Sequence, residues 1–129
     1  MELKLYRHAV PYLLYGCTDQ SDVYPIVTPN WDNTPRSHTR GFVLHESTPE
    51  LFRSHFRDAL NLVKSRRIEN RIVFIKSWNE WAEGNYLEPD LKFGHDYLKV
   101  IREEISVPVA QHNKLASKPS VTFETTLPV

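Results

Sequence analysis

Hydrophobic and polar positions alternate with strand and helix periods between residues 23 and 105, and two polar stretches interrupt them. "VYPIVT", residues 23–28, is strand-like in composition. Pro25 lacks a ladder donor, which suits the beginning of a strand or a sheet edge. The next stretch, "PNWDNTPRSHTRGFVLHES", is long, polar and rich in turn formers, as functional loops in compact domains are. A helix then begins: Thr48 caps it, Pro49 suits its first turn, and Glu50 sets a negative charge against the positive end of the helix dipole. Phe52, Phe56, Leu60 and Val63 recur at helical spacing, so one face is apolar through about Arg66. "RIVFIKS", residues 71–77, holds four consecutive apolar residues, three of them β-branched, and predicts a strand buried on both faces. A second helix is expected over residues 96–105, with Leu98, Ile101 and Ile105 on one side.

The predicted order is strand, loop, helix, strand, loop, helix. A helix between two such strands implies a parallel βαβ crossover, with both polar loops leaving the C-terminal ends of strands. Active sites of α/β barrels and doubly wound sheets are built at such ends. The expected fold class is therefore α/β, with Asn30, Trp31, Asp32 and Asn33 of the first loop facing Trp78, Asn79, Glu80, Trp81 and Glu83 of the second.

At 129 residues the chain is sized for one modest core. No internal repeat is evident, and composition shifts near Val107: residues 1–106 carry the apolar periods, while 107–129 are polar, punctuated by Pro, and read as a flexible tail. Sixteen basic residues balance 16 acidic ones, so no long-range field draws the chain to nucleic acid or anionic lipid. Lys64, Arg66 and Arg67 form the nearest thing to a basic patch, and they sit where a helix C-terminus favours cations. Cys17 is the one cysteine, which excludes an internal disulfide and fits a reducing cytoplasm. No apolar stretch approaches a membrane span, and "MELKLYRHAVPYLLYG" makes a poor signal peptide.

The candidate chemistry is concentrated in "FIKSWNEWAEGNYLEPD", residues 74–90. Glu80 and Glu83 bracket Trp81 and Ala82; on a helical turn, residues three apart share a face. Two neighbouring carboxylates in different surroundings supply a base and an acid together, the arrangement that glycoside chemistry uses. Trp31, Trp78, Trp81 and Tyr86 offer flat apolar faces that match those of sugar rings. Asn30, Asn33, Asn79 and Asn85 both donate and accept, as hydroxyl recognition requires. Against this, Glu-x-x-Glu pairs also occur on solvated helices, Trp often simply packs, Asp32 equally suits an Asx-turn or cap, and Glu88 before Pro89 equally suits a turn.

Other chemistries lack their residues. "HES" at 45–47 begins like a zinc helix, but Pro49 occupies the place of the second His. The six His form no close ligand pair and read as surface or hydrogen-bonded residues, so no metal is expected. No Gly-x-Ser-x-Gly elbow or phosphate-binding Gly loop occurs, and no organic cofactor is expected.

"YPIVTPNWDNTPR", "STPELFRSHFRDAL" and "FIKSWNEWAEGNYLEPDLKFGHDYL" resemble the C-terminal portion of the glycosyltransferase WbsX family, bacterial proteins with a domain like glycoside hydrolase family 99. The resemblance covers roughly residues 1–105, and "WNEWAEGNYLEPD" is its most specific part. It implies that the α/β units are the last ones of a (β/α)8 TIM-type barrel, with a role in lipopolysaccharide O-antigen or other surface polysaccharide synthesis. By position, Glu80 would deprotonate a sugar 2-hydroxyl and Glu83 would act as general acid and base, as in the family's hydrolases, which act on α-mannose-type linkages. Ala82 stands where the hydrolases carry His, a departure that bears on substrate contacts. A complete barrel takes about 250 residues, so the remaining strands are expected from a longer chain or an oligomer. The expected partners are a carbohydrate substrate and, for transfer, an activated sugar donor. The alternatives are an endo-acting hydrolase of the family 99 type and a non-catalytic sugar-binding or interaction module.

Overall fold

A computed structural model describes residues 1–17 and 22–106. The expected tail, 107–129, lies outside the described residues. The architecture is mixed α/β. β1 (Glu2–Leu5) leads directly into α1 (Tyr6–Leu13), followed by β2 (Ile26–Val27), β3 (Trp31–Asp32), the short α2 (Thr34–Ser37) and β4 (Phe42–His45). Then come α3 (Pro49–Val63), β5 (Phe74–Ile75), a hairpin of β6 (Asn79–Glu80) and β7 (Asn85–Tyr86), and α4 (Asp96–Ser106).

The expected βαβ unit is present. β2 and β5 pair in parallel, Ile26 opposite Phe74 and Val27 opposite Ile75, with α3 between them in sequence. The start of α3 follows from its first residues: the Thr48 hydroxyl accepts from the Leu51 amide at 3.3 Å, and Pro49 occupies the first turn. A second sheet has the order β1-β4-β3, parallel between β1 and β4 and antiparallel between β3 and β4. Tyr6, just past the end of β1, donates its hydroxyl to the Thr28 carbonyl, just past the end of β2, at 2.6 Å. The C-terminal ends of both parallel pairs therefore lie together.

The main core joins Val27, Phe52, Phe56, Ala59, Leu87, Tyr97 and Val100; Tyr6, Val10 and Leu44 form a smaller cluster. Burying side chains such as Phe52 and Phe56 contributes about 2 kcal/mol each. α3 and α4 are also stapled by Glu104, a buried carboxylate that accepts from Arg57 at 2.6 and 2.9 Å and from Arg53 at 3.1 Å.

Four expectations need correction. The 29–47 stretch is not a loop throughout, since β3, α2 and β4 form within it and β4 pairs with β1. β5 is not buried on both faces: Phe74 is 54% exposed and its partner Ile26 50%, because this sheet has two strands and the core covers one side of it. α3 ends at Val63 rather than near Arg66; Arg66 is buried instead, donating to the Val23 carbonyl at 2.7 Å and lying over the Tyr24 ring. On α4 Leu98 and Ile101 pack partly against the core as expected, but the buried positions are Tyr97, Val100 and Glu104, and Ile105 is 64% exposed. The helical period places Glu104 inward, and the α3 arginines provide the partners that make this tolerable. No helix among the described residues is long and apolar enough to cross a membrane.

Candidate functional site

The two strand-end segments do meet, and two amides fasten them. Asn85 is fully buried; its Nδ2 donates to the carbonyls of Asn30 at 2.6 Å and Lys76 at 2.9 Å, and its Oδ1 accepts from the Ser77 hydroxyl at 3.0 Å. Asn30, also buried, accepts from the Tyr86 amide at 2.8 Å and donates to the Tyr86 carbonyl at 3.3 Å. These bonds hold the β6–β7 hairpin across the ends of β2 and β5. Gly84 lets the hairpin approach β3: its φ is +50°, and a Cβ there would lie 2.8 Å from the Asp32 carbonyl oxygen.

Several expected ligand groups are thus committed to the fold. Asp32 forms an Asx-turn, accepting from the Thr34 amide at 2.9 Å and hydroxyl at 2.6 Å. Asn33 accepts from the Phe42 amide at 2.7 Å. Asn79 is exposed and pairs with Tyr86 across the hairpin through its backbone.

The carboxylates occupy different surroundings. Glu80 ends β6, and a 3-10 turn over Trp81–Glu83 separates it from Glu83, so the two do not share a regular helix. Glu83 is 19% exposed and held by Arg36 at 3.2 Å and Lys76 at 3.4 Å. Glu80 is half-buried, and its carboxylate has no hydrogen-bond or ion-pair partner among the described residues.

The aromatic residues form a platform. Trp81 stacks on Tyr86 with ring centroids 3.9 Å apart and planes 24° from parallel, and Trp81 Nε1 donates to Glu88 at 2.8 Å. Burial raises the Tyr86 hydroxyl above its ordinary value, and the neighbouring Asp90 adds to this. Trp81 and Trp78 each leave about half their surface exposed. Lys76 Nζ lies 5.0 Å from the centre of the Trp31 ring, a cation–π contact.

Two cavities flank Tyr86. One, of about 440 Å³, runs between β3, the end of β4 and the hairpin; Asn30, Trp31, Asp32 and Tyr86 line it together with Ser47 and Lys92. The other, of about 530 Å³, lies over Trp81 and Tyr86 beside Pro89, Asp90, Leu91 and Lys92. Both volumes fall in the range of small-molecule sites. Trp78, Asn79, Glu80 and Glu83 line neither, although Gly84, next to Glu83, lines the first. Arg36, Lys76, Ser77, Gly84 and Lys92 were not among the expected site residues. Gly84 in "WAEGN" carried a signal, as a Gly beside Asn at a hairpin marks a special backbone position. Among the described residues no group of three or more His, Cys, Asp or Glu is placed to hold a metal.

The family model described as glycosyltransferase WbsX matches residues 1–101. The chain belongs to the WbsX family. Two relatives in Xanthomonas campestris pv. campestris, strains B100 and ATCC 33913, are each described as uncharacterized protein WxcX. Both are 38% identical to this WbsX chain over 89 residues, 65% of its length, and the match spans 12% of theirs. No solved structure matches it.

Proposed function

We propose that this chain is the sugar-handling segment of a longer glycosyltransferase acting in the cytoplasm on lipopolysaccharide O-antigen or another surface polysaccharide. The observation that carries the reading is the Trp81–Tyr86 stack, exposed beside two cavities where the ends of the parallel strands converge. In this reading, the β2–α3–β5 unit belongs to the end of a (β/α)8 barrel of the glycoside hydrolase family 99 type. The remaining strands, from the same longer chain or an oligomer, cover Ile26 and Phe74, whose exposure leaves an apolar sheet face in need of a partner. Glu80, whose carboxylate has no partner among the described residues, takes the proton of a sugar hydroxyl, and Glu83 delivers and recovers the proton at the departing oxygen. Trp31, Trp78 and Trp81 with Tyr86 supply stacking faces for sugar rings, while Asn79 offers its free amide to hydroxyls.

The test is to incubate a full-length family member containing this segment with oligosaccharide, with and without an activated sugar donor. Donor-dependent extension supports transfer. Donor-independent cleavage would make the enzyme an endo-acting hydrolase instead, and binding without turnover would leave a sugar-binding module. Glu80→Gln and Glu83→Gln should each lower turnover about 100-fold or more. A double Gln variant with full rate would remove both residues from the chemistry.

A further inference from the structure

The cavity beside β4 contains a carboxylate that the reading above does not use. Glu46 follows the last residue of β4 and lines the 440 Å³ cleft opposite Trp31 and Tyr86. Its φ is +59°, in the left-handed region, where Gly or Asn is the low-cost choice and a longer side chain is strained. Residues held in such conformations concentrate at ligand sites, where the surrounding structure enforces them. Its charged neighbours leave its acceptor capacity open: Arg7 Nη1 is 3.7 Å from one oxygen and His45 Nε2 3.9 Å from the other, both beyond hydrogen-bond reach.

A second observation comes from Trp31, which lines the same cleft: its indole N–H has no hydrogen-bond partner among the described residues. Polar groups withdrawn from solvent are nearly always satisfied, so the cleft wall carries an unmet donor as well as the open Glu46 acceptor.

We propose that this cleft is a saccharide subsite in which Glu46 contacts the sugar directly, accepting hydrogen bonds from its ring hydroxyls, with Ser47 as the adjoining hydroxyl contact. A vicinal diol presents two donors, which a carboxylate accepts together. The inference rests on the carbohydrate reading and deepens it, because Tyr86 and Lys92 line this cleft and the Trp81 cavity alike. A ligand of two or more sugar units would cross Tyr86, with one ring on the Trp81 face and the next at Glu46.

The experiment uses a full-length family member containing this segment, applied to a printed array of bacterial polysaccharide fragments. The bound glycan is then titrated against wild type, Glu46→Gly and Glu46→Gln by tryptophan fluorescence, with Tm recorded for each. Glu46→Gly relieves the left-handed strain and should raise Tm by about 2–5 °C while weakening binding about tenfold or more. Glu46→Gln keeps the backbone and the size, so Tm should stay level while affinity falls about fivefold. If both variants bind as wild type does, Glu46 is a turn residue; the subsite is then refuted, while the carbohydrate reading survives. If wild type binds no glycan on the array, the carbohydrate reading fails and takes this subsite with it.

Discussion

Replacing Asn85 by Ala removes the side chain that ties the hairpin to both parallel strands. The carbonyls of Asn30 and Lys76 lose donors at 2.6 and 2.9 Å, whereas the Ser77 hydroxyl keeps the Asn85 backbone carbonyl, 3.1 Å away, as an acceptor. The buried Asn30 carbonyl and the part-buried Lys76 carbonyl left without these donors cost about 1–1.5 kcal/mol each, so the variant should lose about 2–3 kcal/mol. For a domain of this size, that corresponds to a Tm lower by about 10 °C. The assay is thermal and urea unfolding by circular dichroism, paired with Asn79→Ala. Asn79 is exposed and takes part in the hairpin through its backbone, so its loss should stay within about 0.5 kcal/mol. The near-ultraviolet signal of the Trp81–Tyr86 stack should weaken in the Asn85 variant and persist in the Asn79 one. A loss below about 1 kcal/mol at Asn85, or equal losses at both positions, would refute the assignment of Asn85 as the fastener.

Gly84→Ala forces a Cβ to within 2.8 Å of the Asp32 carbonyl at a φ of +50°, and should cost about 2–3 kcal/mol by urea unfolding while shifting Trp31 fluorescence. His55 is buried against Tyr6, and burial lowers its pKa from 6.5 to about 4. The unfolded chain therefore binds the proton first: stability is full above pH 6.5 and falls by up to about 3 kcal/mol as pH drops toward 4, a slope that His55→Leu should flatten in a pH series of urea melts. Glu104→Ala should cost about 2 kcal/mol, the low end for a buried carboxylate because Arg53 and Arg57 keep contact with water. Hydrogen bonds from Arg57, then Arg53, hold the Glu104 pKa below its ordinary value, so this contribution is present at neutral pH and is lost as pH falls through the lowered pKa.

The parts of the fold written in local periods were legible in the sequence. Thr48, Pro49 and the Phe52–Phe56 spacing define α3 without reference to any distant residue, and the apolar runs on either side of it announced the parallel pairing of β2 with β5. β1 and β4 were not legible because their pairing joins segments about 40 residues apart, Glu2 with Phe42, and each strand is four residues long. Such short strands are selected by their partner rather than by their own pattern. The inward position of Glu104 was hidden for a related reason: a Glu on a core face makes sense once Arg53 and Arg57 are known to meet it from another helix.

The site was legible as a cluster but not in its division of labour. An Asn amide satisfies a backbone carbonyl and a sugar hydroxyl with the same atoms, so residue type alone does not separate the two uses. Here the backbone has priority: Asn30, Asn33 and Asn85 all close bonds that shape the strand ends, and Asp32 is taken up by its turn. Asn30 and Asn85 are buried and fasten the hairpin from within, so Trp81 is not needed for packing there and is 51% exposed, stacked on Tyr86. Among the described residues the carboxylates that the fold leaves uncommitted are chiefly those of Glu80 and, on the cleft that Tyr86 lines, Glu46, and the proposed polar recognition falls to them. An exposed aromatic face near uncommitted carboxylates suits a ring with an apolar face and a hydroxylated edge, and that is what the strand-end geometry contributes to the proposed carbohydrate reading.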